Sequence, residues 1–93
     1  MAAKLTMYTA EGCHLCEKAH KEILAASKII KFDLTIIDIQ NEYLTYEKYK
    51  DDIPVIALNG EEIARHKTTA DFIVQKVSEY LSKTASGRKK SDK

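Results

Sequence analysis

The sequence predicts an α/β domain built on a four-stranded mixed sheet, with elements in the order β-α-β-α-β-β-α. Three observations carry that expectation. Strand-like runs begin near residues 5, 32, 55 and 61. The first two are separated by an uninterrupted helical pattern, which implies a right-handed crossover and parallel pairing. The last two are joined by Asn59-Gly60, a hairpin signal that makes them antiparallel.

Residues 5–9 read as the first strand. Gly12 permits a sharp turn, and residues 14–27 hold no Pro or Gly to stop a helix. Residues 32–39 give the second strand, with apolar residues alternating at Phe32, Leu34 and Ile36. The added Ile37 and Ile39 predict a sheet covered on both faces near that strand's end. Residues 41–50 read as a short helix capped by Asn41, with Glu42 suited to its positive end and Lys48 and Lys50 to its negative end. Tyr43, Tyr46 and Tyr49 recur at spacing three beside Leu44. They are expected to cover a sheet face, keeping their hydroxyls near solvent, rather than to stack bases.

Pro54 precedes the strand 55–58, a position where its missing N–H costs no ladder bond. A cis Ile53–Pro54 bond would make a tight bend able to face the cysteines and pair with an extended substrate. Residues 61–65 form the fourth strand. Thr68 or Thr69 then caps the last helix, Thr68 with Asp71 resembling a capping box. Ile73, Val77, Tyr80, Leu81 and Thr84 trace its buried face, with Phe72 alongside. Gly87 predicts a helix end at residues 84–86. The domain therefore spans 1–84, followed by a flexible basic tail at 85–93.

Ninety-three residues make one domain, and 44% hydrophobic with 31% charged residues describes an ordinary folded soluble chain. No apolar run approaches a membrane span, and the first strand starts too early to leave room for a secretory signal. Two cysteines do not make a disulfide-stapled extracellular scaffold, so a reducing, cytoplasmic setting is expected. Residues 83–93 carry Lys83, Arg88, Lys89, Lys90 and Lys93 against Asp92, a net of +4; the chain's +1 leaves −3 over residues 1–82. Such a polybasic tail can contact nucleic acid or acidic lipid. This one is short, lacks an amphipathic pattern and follows no nucleic-acid motif. The expected chain is a monomer that engages neither nucleic acid nor membrane.

The chemistry centres on Glu11-Gly12-Cys13-His14-Leu15-Cys16. Two cysteines two residues apart can form a small disulfide, supply half of a metal site, or act as attacking and resolving thiols. Placed between a strand and a helix, the pair is a fairly specific redox signal. Cys13 falls at the helix N-terminus, where free N–H groups and the dipole favour a thiolate, the form that attacks disulfides. Cys16, one turn on, sits deeper and is placed to break a mixed disulfide on Cys13. His14 either stabilises that thiolate when protonated or, exposed at the helix end, does nothing, while Glu11 and Glu17 work modestly against the thiolate. A structural metal site usually takes four ligands. There is no second cysteine pair, and His14, His20 and His66 lack a supporting spacing, so no metal site is assigned. Arg65, His66 and Lys67 before the last helix make either an anion-holding loop or a solvated connector.

Assembled, the pattern resembles the glutaredoxin-like family of the thioredoxin-fold superfamily over residues 4–83. The resemblance rests on Leu5-Thr6-Met7-Tyr8-Thr9-Ala10-Glu11-Gly12-Cys13-His14-Leu15-Cys16, on Ile53-Pro54-Val55 and on the Asn59-Gly60 turn. Thioredoxin itself fits less well, since no tryptophan precedes the pair and no Gly-Pro lies within it. The resemblance implies that Cys13 is the nucleophile, Cys16 the resolving thiol and Pro54 the family's cis-proline, with substrate pairing at Ile53. It also implies a thiol–disulfide oxidoreductase that reduces protein or glutathione mixed disulfides, with glutathione as reductant and no tightly bound cofactor. Two departures stand out. His14-Leu15 replaces the usual Pro-Tyr, and Arg65-His66-Lys67-Thr68-Thr69 replaces the Gly-Gly turn that holds the glutathione γ-glutamyl end. Arg65, Lys67 and Asp71 are the candidate glutathione contacts, and the lost glycines are expected to weaken or alter that recognition. Two other functions fit the same chain: a non-enzymatic adaptor docking partners near Pro54, and an iron–sulfur or metal binder using Cys13 from two subunits.

Overall fold

In the computed structural model, which describes the backbone of residues 3–90 and the side chains of residues 3–83, β1 (Lys4–Thr9) is a central strand. It pairs in parallel with β2 (Asp33–Asp38) and antiparallel with β3 (Val55–Leu58), which pairs antiparallel with β4 (Glu61–Arg65). The sheet order is β2-β1-β3-β4. The helices are α1 (His14–Ser27), α2 (Tyr43–Tyr49) and α3 (Ala70–Lys90).

Strand alternation decides which residues meet the helices. Leu5 and Met7 of β1 are buried, and the register sets Leu34 and Ile36 of β2 and Leu58 and Ile56 of β3 beside them on the same face. Onto that face fall Ala19, Ile23 and Ala26 of α1 and Ile73 and Val77 of α3, forming one buried cluster. The spacing of these residues along each helix keeps them on one stripe. β3 is buried on both faces, and therefore reads as an unbroken apolar run. Asn59 (φ 48°) and Gly60 (φ 89°) both take the positive φ that a two-residue hairpin requires. The Asn59 N–H also donates to the Lys4 carbonyl (2.7 Å), and its Oδ1 accepts from the Lys4 N–H (3.0 Å).

Three expectations around the end of β2 are corrected. Ile36 lies on the helix-covered face yet remains 46% exposed, because β2 is an edge strand with a neighbour on one side only. Ile39 is fully buried, but in a 3-10 turn at Ile39–Asn41 rather than in the strand. The Asp38 carboxylate caps that turn through the Gln40 N–H (2.9 Å), so Asn41 is consumed within it and Glu42 caps α2 instead. The Glu42 carboxylate accepts both the Thr45 N–H (2.9 Å) and the Thr45 hydroxyl.

The tyrosine stripe does not cover the sheet. Tyr43 is 73% exposed and Tyr46 is exposed, while only Tyr49 reaches back to stack on Tyr8, with ring centroids 4.6 Å apart. Three residues fall about 60° short of a full helical turn, so a spacing-three stripe spirals off any single face.

At the start of α3, Thr69 is the cap: its Oγ1 accepts the Phe72 N–H (3.1 Å) and its carbonyl accepts the Ile73 N–H (3.1 Å). The Ala70 N–H donates to Glu22 Oε1 of α1 (2.7 Å), tying the two helices together. The α3 backbone continues through Gly87 to Lys90, past the expected end. One glycine costs a helix about 1 kcal/mol relative to alanine and does not stop it unaided. The Thr84 side chain and residues 91–93 of the tail lie outside the described residues.

Candidate active site

β1 delivers the chain to the edge where its C-terminal end meets the N-terminus of α1. Gly12 turns there with φ 81°, and Cys13 follows in extended conformation as the cap of α1. Capping positions want a side-chain acceptor for an orphan helix N–H. Cys13 Sγ supplies it, accepting the Cys16 N–H at 3.1 Å, while the Cys13 carbonyl accepts the Glu17 N–H at 3.2 Å. Cys13 and Cys16 are joined as a disulfide, with Cα atoms 5.2 Å apart.

The two sulfurs are not equivalent. Cys13 is partly exposed, whereas Cys16 is only 3% exposed and belongs to the buried stripe of α1. Position 13 lies at the helix end where free N–H groups and the dipole favour negative charge. Burial at position 16 favours the neutral thiol. The two sulfurs thus differ in depth by one helical turn.

A hollow of about 260 Å³ opens between the β1–α1 turn and β2. Thr9, Cys13, Cys16, Glu17, His20 and Ile36 line it, together with parts of the turn. His14 is exposed and does not line this hollow. His20, which sequence reasoning set aside for lack of a motif, does. The available signal was its spacing: four residues after Cys16, it stands on the same side of the helix.

On the other flank, Ile53–Pro54 is cis. The pairing of Tyr8 with Val55 sets Pro54 level with the C-terminal end of β1, from which the cysteine turn departs. Pro54 is buried and its carbonyl accepts the His66 N–H at 2.8 Å. Ile53 is half-buried and lies outside both α2 and β3.

The candidate glutathione contacts do not form one group. Arg65 Nη1 meets Asp52 Oδ2 at 3.0 Å, Nη2 meets Glu62 Oε1 at 3.1 Å, and Nε bonds Glu62 Oε2. His66, at φ 70°, brings Nε2 within 3.6 Å of Asp52 Oδ1. Lys67 is exposed and shares with Arg65 and Phe72 a hollow of about 480 Å³ that neither Asp71 nor either cysteine lines. Two of the three expected anion-holding cations therefore face carboxylates of the chain itself.

That cluster has a pH signature. The hydrogen bond from Arg65 holds the Glu62 carboxyl below its ordinary 4.5. A carboxyl lowered on folding contributes stability above its unfolded value and loses it as pH falls through the folded one. The chain should therefore lose a small part of its stability as pH falls below about 4.5, and Glu62→Gln should flatten this part of a Tm-versus-pH curve. An unchanged curve would show that the contact carries no folding energy.

Among the described residues, no group of three or more His, Cys, Asp or Glu side chains is arranged to hold a metal, and no helix is long and apolar enough to cross a membrane.

Comparison with known proteins agrees with this geometry. The family described as Glutaredoxin-like domain (DUF836) matches residues 4–81. An NMR structure of a protein from Nitrosomonas europaea is 29% identical, superposes with a TM-score of 0.68, and covers 78% of this chain and 88% of its own. A crystal structure from X. campestris is 21% identical, with a TM-score of 0.69 and coverage of 81% and 96%. Thioredoxin-2 of a malaria parasite is 18% identical, with a TM-score of 0.68 and coverage of 84% and 82%.

Proposed function

This chain belongs to the glutaredoxin-like family, and on that premise we propose that it is a thiol–disulfide oxidoreductase acting through Cys13 and Cys16. The observation that carries the reading is the unequal placement of the bonded sulfurs. One caps a helix at the surface, and the other is sealed one turn below.

In the proposed reaction the Cys13 thiolate attacks one sulfur of a substrate disulfide. That S–S bond breaks, the leaving sulfur departs with the electron pair, and a mixed disulfide forms on Cys13. The Cys16 sulfur then displaces the second substrate sulfur, so two electrons pass to the substrate and the Cys13–Cys16 disulfide remains. An extended substrate segment pairs with the Ile53 main chain beside Pro54. The substrates are disulfide-bearing proteins or glutathione mixed disulfides in a reducing compartment. Either glutathione or a dithiol protein resets the domain. Lys67, exposed at its hollow, is the cation best placed to meet a glutathione carboxylate, since Arg65 is already engaged.

The test presents the reduced chain with a glutathionylated peptide. The expected result is one mixed disulfide reduced per chain, with a Cys13–Cys16 disulfide formed in equal amount. Steady turnover should follow when glutathione or a thioredoxin-type dithiol is supplied. Exchange no faster than that of a free small thiol at equal concentration would overturn the reading.

A further inference from the structure

We propose that His20 accepts the proton that Cys16 must lose before it resolves the mixed disulfide. This inference rests on the oxidoreductase reading and identifies a residue serving the second step of that reaction.

The need arises from burial. A thiol attacks only as thiolate, and burial in apolar surroundings disfavours that anion. Cys16 is 3% exposed and sits among Ala19, Ile23 and Ala26 along its helix stripe. Its backbone N–H is committed to Cys13 Sγ and gives the Cys16 sulfur itself no stabilisation. No buried polar or charged side chain exists among the described residues, so the core offers no base on the inner side of the sulfur. Cys16 lines the hollow of about 260 Å³ between the β1–α1 turn and β2, and that is the side by which the proton leaves.

The titratable groups on that hollow are few. Besides the cysteines they are Glu11 from the turn and Glu17 and His20 from α1; β1 adds Met7 and Thr9, and β2 adds Ile36, none of which titrates near neutrality. Glu17 follows Cys16 directly, which turns it about 100° around the helix, and it is exposed. Glu11 is exposed within the turn. His20 lies one helical turn past Cys16, about 40° round the axis, and is partly buried. Imidazole is also the side chain suited to taking and returning a proton between pH 5 and 8.

The step balances as follows. The Cys16 S–H proton passes to neutral His20, across the hollow or through a single water in it. The Cys16 thiolate attacks Cys13 Sγ, the bond from Cys13 to the substrate sulfur breaks, and that sulfur leaves as a thiolate. The imidazolium then gives its proton to the departing thiolate or to solvent, and His20 is neutral again.

The two steps separate in a stopped-flow reaction of the reduced full-length chain with the aromatic disulfide 5,5′-dithiobis(2-nitrobenzoate). Attack by Cys13 releases one coloured thiolate, and resolution by Cys16 releases the second. In His20→Gln the second phase should slow by roughly 10–100-fold, the low end for general-base assistance because the hollow is open to solvent. The residual second phase should instead climb steadily with pH as solvent alone removes the Cys16 proton, and added imidazole should restore part of the rate. The first phase should keep its wild-type rate, which also reports a folded variant. An unchanged second phase and pH profile would overturn the proposal, as would equal slowing of both phases. Failure of the wild-type chain to show a first phase would instead defeat the oxidoreductase reading.

Discussion

Replacing Cys13 by serine is expected to abolish disulfide exchange, while Cys16→Ser should stop the reaction at a stable mixed disulfide, one per chain. The two substitutions are chemically alike, so their different outcomes measure the geometry. The hydroxyl of a serine at position 13 can still accept the Cys16 N–H as a helix cap, and the helix should form as before. It does not ionise near neutral pH and cannot attack sulfur. At position 16 the attacking thiol survives, and only the buried partner that would release the substrate is lost. Mass spectrometry without reductant, after exposure to a glutathionylated peptide, reads both results. Equal trapping by the two variants would show that either sulfur can attack, contrary to their placement. Neither substitution should unfold the domain. The disulfide spans a sequence separation of only 3, a loop whose closure is worth about 2 kcal/mol.

Ile23→Ala is expected to have the largest effect on stability. Ile23 is fully buried where α1 meets the sheet and α3, in contact with the cluster that includes Leu5 and Ile73. Removing its three outer carbons forfeits their transfer energy and leaves a cavity, about 3–4 kcal/mol together. For a domain of this length the total is only about 5–14 kcal/mol, so a thermal midpoint drop of roughly 15–25 °C follows. Leu44→Ala, on exposed α2, should shift stability by about 0.5 kcal/mol or less. Thermal melts followed by circular dichroism check both. A drop at Ile23 no larger than at Leu44 would mean that α1 is not seated as described.

Much of the fold was legible because local signals agreed with tertiary ones. Residues 14–27 carry no helix breaker and a stripe of small and branched apolar residues, and α1 has those same bounds. Asn59-Gly60 demanded a hairpin because its backbone angles suit little else, and the hairpin is present. The errors fell where local preference competes with neighbours. Asn41 is a good cap in isolation, but Asp38 had already begun a turn through it. Gly87 is a common stop, yet the α3 backbone runs past it. The tyrosines looked like a packing face, but over a seven-residue helix their spacing carried Tyr43 and Tyr46 into solvent.

At the site, the Cys13–Cys16 pair was legible from its spacing, and Pro54 from its place before β3 together with the family resemblance. Arg65 was read correctly as a cation before α3, but not as one already held by Asp52 and Glu62, since Asp52 lies 13 residues away and meets it only through the pairing of β3 with β4. His20 was missed for a similar reason: its spacing from Cys16 put both on one side of the helix, but the hollow they share is what gives that position meaning.

The order of elements, the strand-to-helix turn holding both cysteines and the proline at the same sheet edge follow from residue order. Each is written in residue types whose backbone preferences act within a few positions. Packing was needed to show which cations are already paired and on which side the buried sulfur meets a hollow. Those depend on distances between segments far apart in the chain, which are set when the sheet and helices pack together and not by any one of them.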